Sequence, residues 1–131
     1  KDVMNLVDLP GYGYAKVSKV LQNQLSDLIS NYIKYRTNLN HVFVLIDIKV
    51  GFKNSDIDMF ELLSISEKKF TIIFTKIDKC PKSFIVNQKR SIVSLMKNYP
   101  IFFSKFFFTS SKTNYGIIDI QKELYKIAQN S

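Results

Sequence analysis

Glycine is scarce in this chain, and its placement excludes one motif outright. The four glycines, Gly11, Gly13, Gly51 and Gly116, include none set before a lysine in the pattern G-x-x-x-x-G-K-[ST], so these 131 residues carry no phosphate-cradling P-loop. Tryptophan is absent and Cys80 is the single cysteine. One thiol closes no internal disulfide and supplies no metal site alone, so Cys80 reads as a structural thiol and the compartment as a reducing one. No apolar run approaches the roughly 18 to 20 residues that span a bilayer, and the N-terminus lacks the apolar stretch of a signal peptide. A protein with no membrane partner is expected, intracellular, either cytoplasmic or organellar.

What is present is an ordinary globular composition, 46% hydrophobic and 23% charged, over a length that suits one domain. The net charge is +8, carried by 17 lysines and only 2 arginines among abundant Ile, Asn, Phe and Tyr. That bias has the look of AT-rich codon usage, so position says more than number. From Lys76 to Lys112 eight basic residues face one acid, Asp78, a balance of +7; the remainder has eleven against ten, or +1. The segment 76–112 therefore suits a polyanion such as RNA, drawn by summed field. A solvated lysine-rich helix explains the pattern equally well.

Apolar runs at Met4–Val7, His41–Ile48, Phe70–Phe74 and Phe106–Phe108 are nearly continuous and rich in β-branched or aromatic residues, as strands buried on both faces of a parallel sheet are. Helical spacing separates them. Val20, Leu21, Leu25, Leu28, Ile29, Tyr32 and Ile33 repeat at three and four; Ile57, Phe60, Leu63 and Ile65 follow Ser55; Ile85, Ile92, Leu95 and Met96 follow Ser83; and Ile117, Ile120, Leu124 and Ile127 form the last stripe. The alternation predicts an α/β fold, a doubly wound, mostly parallel sheet with flanking helices.

Ligands in such sheets sit beyond the carboxyl ends of the strands. Asp8-Leu9-Pro10-Gly11 ends the first run. There Asp8 suits the water shell of a Mg²⁺, and Gly11 lets the backbone approach a γ-phosphate; an ordinary strand-to-loop turn also explains the string. Thr75-Lys76-Ile77-Asp78-Lys79 ends the third run and is more specific. The Asp78 carboxylate can accept hydrogen bonds from the N1–H and N2–H₂ of guanine while the aliphatic stem of Lys76 lies along the ring. Adenine has no matching donor pair. At about 1.5 to 3 kcal/mol per charge-assisted bond, the pair discriminates by about 10²- to 10⁴-fold as an upper estimate. The alternative makes Asp78 a helix cap and Lys76 a solvated charge. After the fourth run, the Ser110-Ser111-Lys112 turn can offer amides to guanine O6 and a lysine to the base's other face.

Taken together, Asp8-Leu9-Pro10-Gly11-Tyr12-Gly13-Tyr14-Ala15-Lys16-Val17-Ser18, the strand leading to Asp47, Lys53 to Asp58, the Thr75–Lys79 motif and Ser110-Ser111 through Gly116-Ile117 resemble the EngB/YihA family of ribosome-biogenesis GTPases, in order over essentially the whole chain. The resemblance implies GTP/GDP binding and slow hydrolysis with Mg²⁺, coupled to assembly of the large ribosomal subunit, with the ribosomal large subunit or its rRNA as partner. By position it makes Asp8 the magnesium-side carboxylate and Gly11 the γ-phosphate sensor. Thr75, Lys76 and Asp78 become the base site, closed by Ser110, Ser111 and Lys112. Tyr12 stands where many GTPases place a water-orienting glutamine, and a phenol lacks the amide's paired donor and acceptor. Hydrolysis would then depend on a partner such as the ribosome or on a monovalent cation; Tyr12 and Tyr14 also suit contact residues on a switch, or core packing.

The departures from the family's pattern are the first strand, the P-loop, the first helix, the threonine-bearing switch and a tryptophan in the helix after it. Residues 1–131 are accordingly expected to be the C-terminal two-thirds of a single GTPase domain, a partial P-loop GTPase fold keeping the guanine-recognition half, with no assigned catalytic residue, little affinity and no turnover alone. In the family's sheet the missing strand lies between those ending at Asp8 and Asp47. Its loss leaves a gap with unpaired backbone on both sides, inviting self-association or direct pairing of the two flanking strands. The alternative function is a non-catalytic RNA- or protein-binding module using segment 76–112.

Overall fold

The computed structural model of the chain describes residues 4–9 and 18–130. Three parallel strands, β1 (His41–Asp47), β2 (Lys69–Thr75) and β3 (Phe103–Phe108), form a sheet in the order β1-β2-β3. Each connection is a helical crossover, through α2 (Asn54–Ile65) between the first two strands and α3 (Lys82–Met96) between the second pair. Helix α1 (Lys19–Tyr35) precedes β1 and α4 (Ile117–Gln129) follows β3.

Period-2 alternation and helical period divide the sheet into two faces. Val44 and Ile46 stand opposite Ile72 and Phe74, and all four are buried with Ile48 and Phe70. Onto this face α1 sets Ile29 and Ile33, α2 sets Met59, Phe60 and Leu63, and α3 sets Ile92, in one apolar core. Aromatic rings carry its middle. Phe70 stacks on Phe60 and on Phe103 with centroids 5.4 and 5.1 Å apart, and Tyr99 meets Phe60 and Phe70 edge-on. The Tyr99 hydroxyl donates to Glu61 at 2.7 Å, and burial beside that carboxylate pushes its pKa up to about 12.

The opposite face is more polar. Phe43, Thr71 and Lys105 share a row across the three strands, and Lys105 donates to the buried Glu123 of α4 at 3.0 Å. His41 lies 2.7 Å from the fully buried Thr71 hydroxyl. Ser104 is the extra residue of a bulge, since Phe70 pairs with Phe103 but Thr71 with Lys105.

Helix starts owe more to backbone and to acidic side chains than to the serines near them. Ser18 does cap α1, accepting from the Leu21 N–H at 3.2 Å. At α2 the work falls to Asp56, which accepts from the Lys53 N–H at 2.9 Å, and at α3 Pro81 precedes the first turn.

The expected first strand is a correction. Met4–Val7 and Asp8 lie in no strand; Leu6 and Val7 are exposed. A strand persists by pairing, and the strand that the family's pattern sets between this run and β1 is absent from these residues, so Met4–Val7 lacks its usual neighbour. Nor does the first run pair directly with β1. The other three strands and all four helices form where the periodicity placed them, within a few residues.

Candidate functional site

The carboxyl ends of the three strands bring the chemistry together. Asp47 ends β1 directly opposite Thr75 at the end of β2, and the Ile48 N–H donates to the Thr75 carbonyl at 3.1 Å. Lys76 then turns into the left-handed region at φ 64°, a conformation costly for a lysine, and opens a 3₁₀ turn over Ile77–Lys79. That turn reverses the chain so that Lys76 Nζ meets Asp47 Oδ2 at 3.2 Å. Asp47 is itself held by its other oxygen, which accepts from the Lys49 N–H at 2.9 Å.

A second set of bonds joins the β2 end to the β3 end. Thr109 donates both its N–H and its hydroxyl to the Phe74 carbonyl, at 2.8 and 2.9 Å, and its own carbonyl accepts from the Ile77 N–H at 3.2 Å. With the loops thus registered, the fully buried Ser110 donates its hydroxyl to Asp78 Oδ1 at 2.6 Å and accepts from the Thr113 N–H at 3.2 Å. The Ser110 bond is the largest of the influences that hold the Asp78 carboxyl below its ordinary range; Lys79 and Lys112 add smaller ones. Asp78 is therefore an oriented, solvent-exposed carboxylate with cations on two sides. It caps no helix.

The turn after β3 is closed by a bridge between Ser110 and Tyr115, with the Ser110 N–H on the Tyr115 carbonyl at 3.1 Å. Gly116 ends it at φ 75°, and a Cβ there would collide with the Phe108 carbonyl oxygen. Only glycine fits both demands.

The structure thus brings together Thr75, Lys76, Asp78 and Ser110, and sets Ser111 and Lys112 exposed in the adjoining turn. Asp8 is exposed and lies outside any strand; Gly11, Tyr12 and Tyr14 lie outside the described residues. Among the described residues no three His, Cys, Asp or Glu side chains gather as a metal would need. Sequence reasoning passed over Asp47, Thr109 and Thr113 as parts of the site. Asp47 had a signal, its place at the end of an apolar run; the two threonines had none before the fold set them beside Phe74 and Ser110.

No family model matches the chain. Among curated proteins, a probable GTP-binding protein EngB of Ehrlichia chaffeensis is 39% identical over 132 residues, spanning 98% of this chain and 62% of that protein. The counterpart of Gluconobacter oxydans is 32% identical over 127 residues, 97% of this chain and 56% of its own length. The chain belongs to the EngB family. It spans between about half and three fifths of the EngB proteins it matches. A solved structure of a probable GTP-binding protein EngB superposes on 95% of this chain and 77% of its own with a TM-score of 0.76 at 18% identity. The apo elongation factor SelB of Methanococcus maripaludis does so over 95% of this chain and 25% of its own, with a TM-score of 0.74 and 18% identity. These likenesses show the fold, a partial P-loop GTPase fold. No helix among the described residues is long and apolar enough to cross a membrane.

Proposed function

We propose that this chain is the guanine-recognising part of a GTP-binding protein of the EngB kind, residues 1–131 forming the C-terminal two-thirds of its single GTPase domain. The observation that carries the reading is the 2.6 Å bond from Ser110 to Asp78, which fixes an exposed carboxylate at a strand end before any base arrives. A pre-oriented acceptor spends no ordering entropy on binding, and guanine's N1–H and N2–H₂ are the donors that match it. Lys76, tied back to Asp47, offers its stem to one face of the base; the Ser111–Lys112 turn offers amides and a cation to the other.

GTP hydrolysis and assembly of the large ribosomal subunit are assigned to the complete protein. There Asp8 would approach Mg²⁺ from the protein side and Gly11 would contact the γ-phosphate. Magnesium, when bound, neutralises phosphate charge. Without a P-loop in these residues little would hold the phosphates, so the chain alone is expected to bind weakly and to turn over no GTP. The edge of β1 that pairs with no strand among the described residues, beside the exposed Leu45, is the place where self-association would occur.

The test is a specificity switch. Asn in place of Asp78 keeps an acceptor for N1–H but presents an amide donor, which suits the carbonyl at C2 of xanthine and not the amine of guanine. The chain should prefer GDP over ADP by at least about tenfold, and Asp78→Asn should transfer that preference to xanthosine diphosphate. Equal binding of GDP by the two forms would refute the assignment.

A further inference from the structure

The +7 segment does not act as one patch. Lys76 is tied to Asp47 and Lys105 to Glu123, while Lys79 and Lys112 stand beside Asp78. That leaves Lys82, Lys89, Arg90 and Lys97, for which no ion pair exists among the described residues. All four belong to α3 or its C-cap, and all four are exposed. At 3.6 residues per turn they fall within an arc of about 100°, along about 22 Å of helix. The chain has no Asp or Glu between Asp78 and Asp119, so no carboxylate on α3 offsets them.

We infer that this face of α3 is a docking surface for the phosphate backbone of duplex RNA. The inference deepens the ribosome-directed reading above and rests on it for the biological particle, while the surface follows from charge and geometry. Four cations on one rigid helix track a phosphate strand and release its counterions on contact. Exposed Ser83, Asn87 and Ser94 form a polar row along one flank of the stripe, suited to phosphate oxygens and 2′-hydroxyls. Between the cations the stripe carries only Val86 and Val93, with no aromatic ring on which an unpaired base would stack.

The competing occupant is an acidic amphipathic helix seated on Val86 and Val93, and the experiment separates the two. Binding of the full chain to a labelled RNA duplex of about 16 base pairs is followed by anisotropy across a KCl series, beside the DNA duplex of the same sequence and an acidic amphipathic peptide as competitor. The proposal expects RNA to bind more tightly than DNA, with affinity falling linearly in log salt. Lys89→Glu/Arg90→Glu should weaken binding at least about tenfold and flatten the salt slope by about two. Lys34→Glu, at an exposed position of α1, and Val86→Ser/Val93→Ser should bind RNA as the parent does, with circular dichroism showing each variant folded. RNA affinity unchanged by the charge reversal would overturn the proposal. So would DNA binding as tight as RNA, or loss on valine substitution with the peptide displacing the duplex. The response of each variant to GDP separates this surface from the base site: charge reversal should leave it unchanged, and a chain that binds RNA through α3 yet ignores GDP would sink only the nucleotide reading.

Discussion

Ser110 shows how one buried hydroxyl can set the chemistry of an exposed carboxylate. Its bond to Asp78 favours the ionised form, so Ser110→Ala should raise the Asp78 titration midpoint toward the usual carboxylate value, read by NMR of the side-chain carboxyl carbon. An unmoved midpoint would mean that the neighbouring lysines, and not the hydroxyl, hold the carboxyl low. His41 makes the opposite use of burial. Its desolvation lowers the imidazole pKa below 6.5, against the pull of Glu123 across the sheet and with a smaller push from Lys69. Below pH 6.5 the unfolded chain therefore takes up a proton that the folded chain resists, and stability is full above that pH and declines as pH falls beneath it. Urea midpoints at pH 8 and pH 5.5 should differ in that direction, and His41→Asn should flatten the decline. The place of a residue was legible where a motif follows a strand directly, as for Asp78 and Lys76 at the end of β2. Contacts were hidden where the partner lies far along the chain, as with Thr109 on Phe74 and Lys76 on Asp47.

At the scale of elements, the 3.6 and 2.0 periods located seven segments because each buries one face against something present. The eighth, Met4–Val7, has the same apolar pattern but lies in no strand, because periodicity alone does not report whether the usual neighbour is present. Turn geometry is the other element-level determinant of the site. The bridge from Ser110 to Tyr115 depends on the left-handed Gly116 directly after it. Gly116→Ala should cost at least about 1 kcal/mol, lowering Tm by about 3 to 5 °C for each kcal/mol in a domain of this size. The same change should disturb the Ser111–Lys112 amides before it disturbs β1. A Tm unchanged by the alanine would show that the turn can relax away from the Phe108 carbonyl at no cost.

For the whole molecule, three parallel strands with helices on both faces suffice to build one aromatic-centred core and to register two loops against each other at the strand ends. They do not supply a phosphate cradle. The fold is that of a GTP-binding family, and its described part divides into the assembled strand-end loops, proposed above to recognise guanine, and an open β1 edge. The most direct measurement is a ¹⁵N NMR titration of this chain with GDP and, separately, with ADP at millimolar concentration. GDP should shift the amides of residues 76–79 and 110–113 and leave those of β1 and α3 in place, with ADP moving neither. Equal shifts with both nucleotides, or none at those two loops, would contradict a preassembled guanine site.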